Sequence, residues 1–171
     1  MLSPKAPWHL LVSLPFSQLQ DQIDESSGSV YGTAEEVARN AKQLLADAGF
    51  EVLFNPRVSL ADIEAFEPEA FLAVTSTTGM GELPDNLMPL YSQIRDLLPP
   101  AWRGLPGAVI ALGDSSYGDT YCGGGEQMTE LFAELGLREV QPMLRLDASE
   151  TVNPEGDSEP WVQDFITALS Q

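Results

Sequence analysis

Three stretches of the chain concentrate glycine together with hydroxyl and aromatic side chains: Ser26–Thr33 (SSGSVYGT), Ser76–Asn86 (STTGMGELPDN) and Gly113–Gly125 (GDSSYGDTYCGGG). In the first, Gly28, Ser29 and Gly32 come just before a predicted helix whose first turn includes Thr33, so free backbone N–H groups meet small residues and the hydroxyls of Ser27, Ser29 and Thr33. Unpaired amides and the positive end of a helix dipole favour an anion there without any Lys or Arg. The stretch has neither the lysine nor the G-x-x-x-x-G-K-[ST] spacing of a triphosphate loop, so a single phosphate fits better. A plain cap competes with that reading: Thr33 as N-cap with Glu36 closing a capping box accounts for half of the motif, but not for Gly28 and Ser29. In the other two stretches, Thr77, Thr78, Gly79 and Gly81 let a flat polar ring come close to the backbone, and Tyr117 and Tyr121 offer faces for stacking. Each stretch alone is ordinary turn chemistry. Turns, however, need not all follow strands on one edge of a sheet.

The elements carrying these stretches alternate short apolar runs with amphipathic segments, the pattern of a parallel sheet wound with helices. Strands are predicted at Trp8–Leu14, Phe50–Phe54, Ala70–Thr75, Ala108–Leu112 and Val140–Leu146. Ala70–Thr75 is apolar throughout but for its last residue, as a strand covered on both faces should be. Helices are predicted at Thr33–Ala48, ended by Gly49, at Leu60–Phe66, at Asp85–Leu98, closed by Pro99-Pro100, at Gln127–Leu135, stopped by Gly136, and at Pro160–Leu169. The expectation is an α/β fold, a single domain over residues 1–171 in which residues 1–26 are an atypical N-terminal segment. In such a sheet, ligands gather outside the carboxyl ends of the strands, where all three stretches fall.

Composition narrows the chemistry. The 171 residues include 26 acidic and 8 basic side chains, a formal charge of −18. That field repels phosphate backbones and anionic lipid, and attracts basic patches on other proteins. Nucleic acid and membranes are therefore not expected as partners. With 43% hydrophobic residues the chain has a core to build, which excludes a disordered acidic tail. A single cysteine, Cys122, and a single histidine, His9, exclude a disulfide framework, a zinc site and a Ser-His-Asp relay. The apolar stretch Trp8–Phe16 is broken by His9 and Pro15 and lacks a small-x-small cleavage site, so a cytoplasmic location is expected.

Taken together, SGSVYGTAEE, STTGMGELPDN and GDSSYGDTYCGG resemble the flavodoxin family and the FMN-binding domains of diflavin reductases, in order from Ser27 to Leu169. The resemblance implies a three-layer, doubly wound, five-stranded parallel sheet of order 2-1-3-4-5, for which flavodoxin with FMN at its switch point is the standard example. It implies non-covalent FMN, its phosphate held by Ser29, Val30, Tyr31, Gly32, Thr33 and Ala34. One side of the isoalloxazine would be flanked by Ser76, Thr77, Thr78, Gly79, Met80 and Gly81, the other by the segment from Asp114, Ser115, Ser116 and Tyr117 to Tyr121 and Cys122. No long insert interrupts the fifth strand, as in the short-chain kind. Three departures stand out. Pro15–Ser26 separates the first strand from the phosphate loop, Thr78 stands where relatives often have an aromatic, and Gly118 lengthens the third loop. Tyr117 holds the family's stacking position after Gly-Asp-Ser-Ser.

The loops hold no persuasive general base or nucleophile, because Cys122 has no cationic neighbour or histidine to lower its pKa. The flavin would carry the chemistry, which makes the chain an electron carrier rather than an enzyme. Carboxylates without cations around the ring disfavour its anionic reduced form, so delivery of one or two electrons at low potential is expected. Partners would be basic-patched redox proteins, such as a ferredoxin/flavodoxin-NADP reductase and acceptor enzymes, meeting a monomer. Two other classes stay open: a flavin-free or weakly binding interaction module, favoured by the altered N-terminus, and an FMN-dependent quinone reductase, for which no residue speaks. No metal is expected.

Overall fold

The computed structural model describes residues 9–13, 30–54, 60–75, 88–113, 123–147, 150 and 152–170. In chain order the elements are β1 (His9–Ser13), α1 (Val30–Asp47), β2 (Glu51–Phe54), α2 (Leu60–Phe66), β3 (Ala70–Thr75), α3 (Met88–Leu97), a short 3-10 turn (Pro100–Trp102), β4 (Pro106–Gly113), α4 (Gly123–Leu135), β5 (Arg138–Glu139), β6 (Leu144–Asp147) and α5 (Pro154–Ser170). β1 pairs in parallel with β2 on one side, His9 opposite Glu51, and with β3 on the other, Leu10 opposite Ala70. β3 continues onto β4, Phe71 opposite Gly107. The expected first strand is therefore central, despite the twelve-residue stretch Pro15–Ser26 that follows it.

The fifth position differs from the single strand Val140–Leu146 read from the sequence. It is shared by two pieces, β5 opposite Pro106 and Gly107, and β6 opposite Ile110 to Gly113. Between them 140–143 leaves the ladder, four residues spanning the two β4 positions Ala108 and Val109, in the manner of a bulge. α5 holds this break: Gln141 Nε2 donates to the carbonyl of Trp161 at 2.9 Å, and Trp161 Nε1 donates to the carbonyl of Pro142 at 3.0 Å. Pro142 has no N–H to give a ladder, and its carbonyl is taken by a side chain. The order is otherwise β2-β1-β3-β4, then β5 and β6 along the same free edge of β4.

Both faces of the sheet are covered. Alternate residues of β3, Ala70, Leu72 and Val74, join Val37, Ala41 and Leu45 of α1 and Val162, Phe165 and Leu169 of α5 in one core. Phe71 and Ala73 face the other way, into a second core with Ile63 of α2, Tyr91 and Ile94 of α3, Trp102, and Met128, Leu131 and Leu135 of α4. This is why β3 and β4 are buried along their whole length and read as nearly continuous apolar runs. Phe71 anchors the second core with its ring 4.9 Å from that of Trp102 and 6.2 Å from that of Phe132.

Helix boundaries moved where a helix begins in residues that sequence patterns treat as breakers. α5 starts at Pro154 rather than Pro160, because Asn153 caps it: its side-chain oxygen accepts the N–H of Gly156 at 3.1 Å. Pro160 then lies inside the helix, where it forgoes one hydrogen bond. α4 takes in Gly123, Gly124 and Gly125, ahead of the start at Gln127 expected from the sequence. α1 begins at Val30, three residues earlier than expected.

Candidate functional site

β1, β3, β4 and β6 run parallel, so their carboxyl ends, Ser13, Thr75, Gly113 and Asp147, lie along one edge of the sheet. The chain leaves β1 for β2 on one side and for β3 on the other, which places the switch in strand order between β1 and β3. A crevice outside such a switch is where open parallel sheets bind ligands. Each of the three glycine-rich stretches leads away from one of these ends: residues after Ser13 lead to α1, those after Thr75 to α3 and those after Gly113 to α4.

α1 supplies the anion-binding end. Its first turn carries no acidic residue, as is true of α3, whereas Asp62 opens α2, Glu126 opens α4, and Glu155 and Asp157 open α5. In a chain of charge −18, the amides that start α1 are thus left without a carboxylate of their own turn, which suits an external anion. Val30, Tyr31, Gly32, Thr33 and Ala34 all belong to this helix start. The alternative in which Thr33 is the N-cap is overturned, because Thr33 is the fourth helical residue and an N-cap stands before the first.

α4 supplies a close approach. A β-carbon added to Gly125 would overlap that of Ala111 on β4 and come within 2.9 Å of the Met143 sulfur. Glycine lets the helix start lie directly on the end of β4. Arg145 of β6 meets Glu126 in the same first turn at 3.3 Å, an exposed pair that adds direction more than energy. Thr75 and Asp147, at the ends of β3 and β6, are the buried polar side chains at this edge among the described residues. Asp147 is not among the site residues expected from the sequence; its one signal is a carboxylate placed directly after Leu146, the last residue of the expected fifth strand.

The remaining expected site residues lie outside the described residues: Ser29, Ser76, Thr77, Thr78, Gly79, Met80, Gly81, Asp114, Ser115, Ser116, Tyr117, Tyr121 and Cys122. Among the described residues no group of three His, Cys, Asp or Glu side chains could hold a metal ion, and no helix is long and apolar enough to cross a membrane.

Comparison with known proteins agrees with this geometry. A family model described as Flavodoxin matches residues 27–161. An uncharacterised protein of Pseudomonas aeruginosa, PA3435, is 73% identical over 143 residues, covering 84% of this chain and 95% of that protein. Flavodoxin YqcA of Escherichia coli is 41% identical over 143 residues, with the same shares of both chains. Among solved structures, the C101A mutant of a flavodoxin from Pseudomonas aeruginosa superposes with a TM-score of 0.82 at 62% identity, covering 95% of this chain and 99% of that one. With a switch point flanked by β1 and β3, and a family match that takes in the three glycine-rich stretches from Ser27 on, the chain belongs to the flavodoxin family.

Proposed function

We propose that this chain is a single-domain FMN-binding electron carrier, holding the flavin non-covalently and passing one or two electrons at low potential from a reductase to acceptor proteins. The observation that carries the reading is the convergence of the ends of β1, β3 and β4 on one switch point, with the acid-free start of α1 beside it. Ser29 to Ala34 would hold the phosphate through backbone amides and hydroxyls. Ser76 to Gly81 would pass along one side of the ring and Asp114 to Cys122 along the other, with Tyr117 stacked on its face. Bound FMN supplies one- and two-electron redox chemistry that no side chain here could provide. The protein orients the ring, shields it, and through its carboxylates opposes added negative charge, which lowers the potential of the last reduction step.

The acidic surface gives the carrier its partners, proteins with a basic rim such as a ferredoxin/flavodoxin-NADP reductase. From Leu146 onward the chain has no Lys, Arg or His, while Asp147, Glu150, Glu155, Asp157, Glu159 and Asp164 all occur there. A cytoplasmic monomer is consistent with that surface.

Titration of FMN fluorescence against the folded protein tests the core of this reading. Saturable quenching and a yellow protein without quinone reductase activity are expected. A folded protein that stays colourless and leaves added FMN fluorescence untouched makes the chain an interaction module instead. A potentiometric titration of the bound flavin then checks the low potential.

A further inference from the structure

We propose that the Met143 thioether is a peroxide-sensitive modification site whose oxidation unseats the start of α4. Met143 lies in the break of the fifth strand, half-buried, and packs against the α2–α4 core. Its sulfur rests on the first turn of α4, 2.9 Å from where a Gly125 β-carbon would be and 3.7 Å from the hydroxyl of Thr129. That hydroxyl also donates to the Gly125 carbonyl at 3.0 Å, so one hydrogen is shared between a strong acceptor and a weak one.

Met143 is itself only half-buried, so small oxidants reach its side chain from solvent. Thr129 lines an open cleft of about 90 Å³ with Val109, Phe132, Leu137 and Glu139, formed where β4 loses its neighbour at the strand break. Met128, by contrast, is only 4% exposed. Met143 is thus the more accessible of these two sulfurs.

The reaction balances with hydrogen peroxide as oxidant. The sulfur lone pair attacks one peroxide oxygen, an S–O bond forms as the O–O bond breaks, the proton on the transferred oxygen passes to the departing hydroxide, and water leaves. Sulfur loses two electrons and peroxide gains them. The sulfoxide oxygen is a far better acceptor than the thioether, so it draws the Thr129 hydroxyl from the Gly125 carbonyl. It also adds bulk where Gly125 leaves none to spare. Since Gly123–Gly125 close the third glycine-rich stretch, the disturbance lands on the segment leading into the candidate site. Only the local source of peroxide, a reduced flavin meeting oxygen, rests on the proposed function.

The test adds hydrogen peroxide to the full chain and follows peptide masses and thermal unfolding. Met143 is expected to gain one oxygen before Met128 does, with Tm falling by about 5 °C. The volume-conserving variant Met143→Leu is expected to shift by less than about 1 °C under the same treatment. Methionine sulfoxide reductases should restore both the mass and the Tm of the oxidised wild type. Oxidation of Met128 first, an equal fall in Met143→Leu, or a Tm that stays low after Met143 is reduced would each overturn the proposal. Peroxide is supplied directly, so the outcome does not depend on whether the chain binds FMN, and a negative result leaves the flavin titration untouched.

Discussion

Gly125 lies so close to Ala111 that it has no room for a side chain: a β-carbon on Gly125 would overlap that of Ala111. Helix propensity and packing therefore make opposite predictions for Gly125→Ala. Propensity alone favours alanine by about 1 kcal/mol, whereas overpacking against β4 costs about 1–3 kcal/mol and shifts the helix start. We expect a net loss of about 1 kcal/mol in urea unfolding, with the midpoint moving and the slope unchanged. A stabilised variant would mean that α4 does not bear on β4.

Leu98 closes α3 with φ of +41°, a left-handed conformation that branched side chains avoid, and its N–H donates to the Ile94 carbonyl at 2.7 Å. The residue is 37% exposed, so its burial is incomplete and offsets the backbone cost only in part. Leu98→Gly should stabilise the protein by about 0.5–1 kcal/mol, read as a higher Tm. A lower Tm would show that the leucine side chain matters more than its backbone.

Trp161 both stacks on Phe165, with ring centres 5.9 Å apart, and donates to the Pro142 carbonyl across the strand break. Trp161→Phe keeps a ring and removes the donor. Stability should fall by about 1–2 kcal/mol. Amide exchange at Val140, whose N–H reaches the Gly107 carbonyl at 3.3 Å, should accelerate while exchange in β3 stays unchanged.

If Tyr117 stacks on the flavin, Tyr117→Ala should weaken FMN binding about tenfold, and Tyr121→Ala should weaken it less. Equal losses would transfer the stacking role or divide it between the two rings. Dissociation constants from fluorescence titration decide between these outcomes.

Reduction by a basic reductase should slow about tenfold as ionic strength rises from about 0.01 M to about 0.15 M, because steering between opposite charges is screened over that range. A rate indifferent to salt would leave the charge of −18 a matter of solubility alone.

Local chemistry made much of the molecule legible before any coordinates. Apolar runs such as Ala70–Thr75 announce strands covered on both faces, and Gly49 and Gly136, with φ of +98° and +81°, mark helix ends that only glycine takes easily. The three glycine-rich stretches likewise stand out by residue type and spacing, and they set the expectation of a phosphate and a flat ring. What the sequence could not disclose depends on residues far apart in it. Glycines 123–125 read as loop because glycine is a poor helix former, yet they are helical, and at Gly125 the helix start lies so close to Ala111 of β4 that only glycine fits. Val140–Leu146 reads as one strand because its residues suit one, yet it splits because Gln141 and Pro142 find partners on α5 that no local pattern reveals. The central place of β1 between β2 and β3, on which the candidate site depends, is likewise a matter of which strands find each other. Propensity and periodicity act over a few residues and are written in the chain. Strand order, helix seating and the partner of each backbone carbonyl are set only when distant segments compete for the same surface.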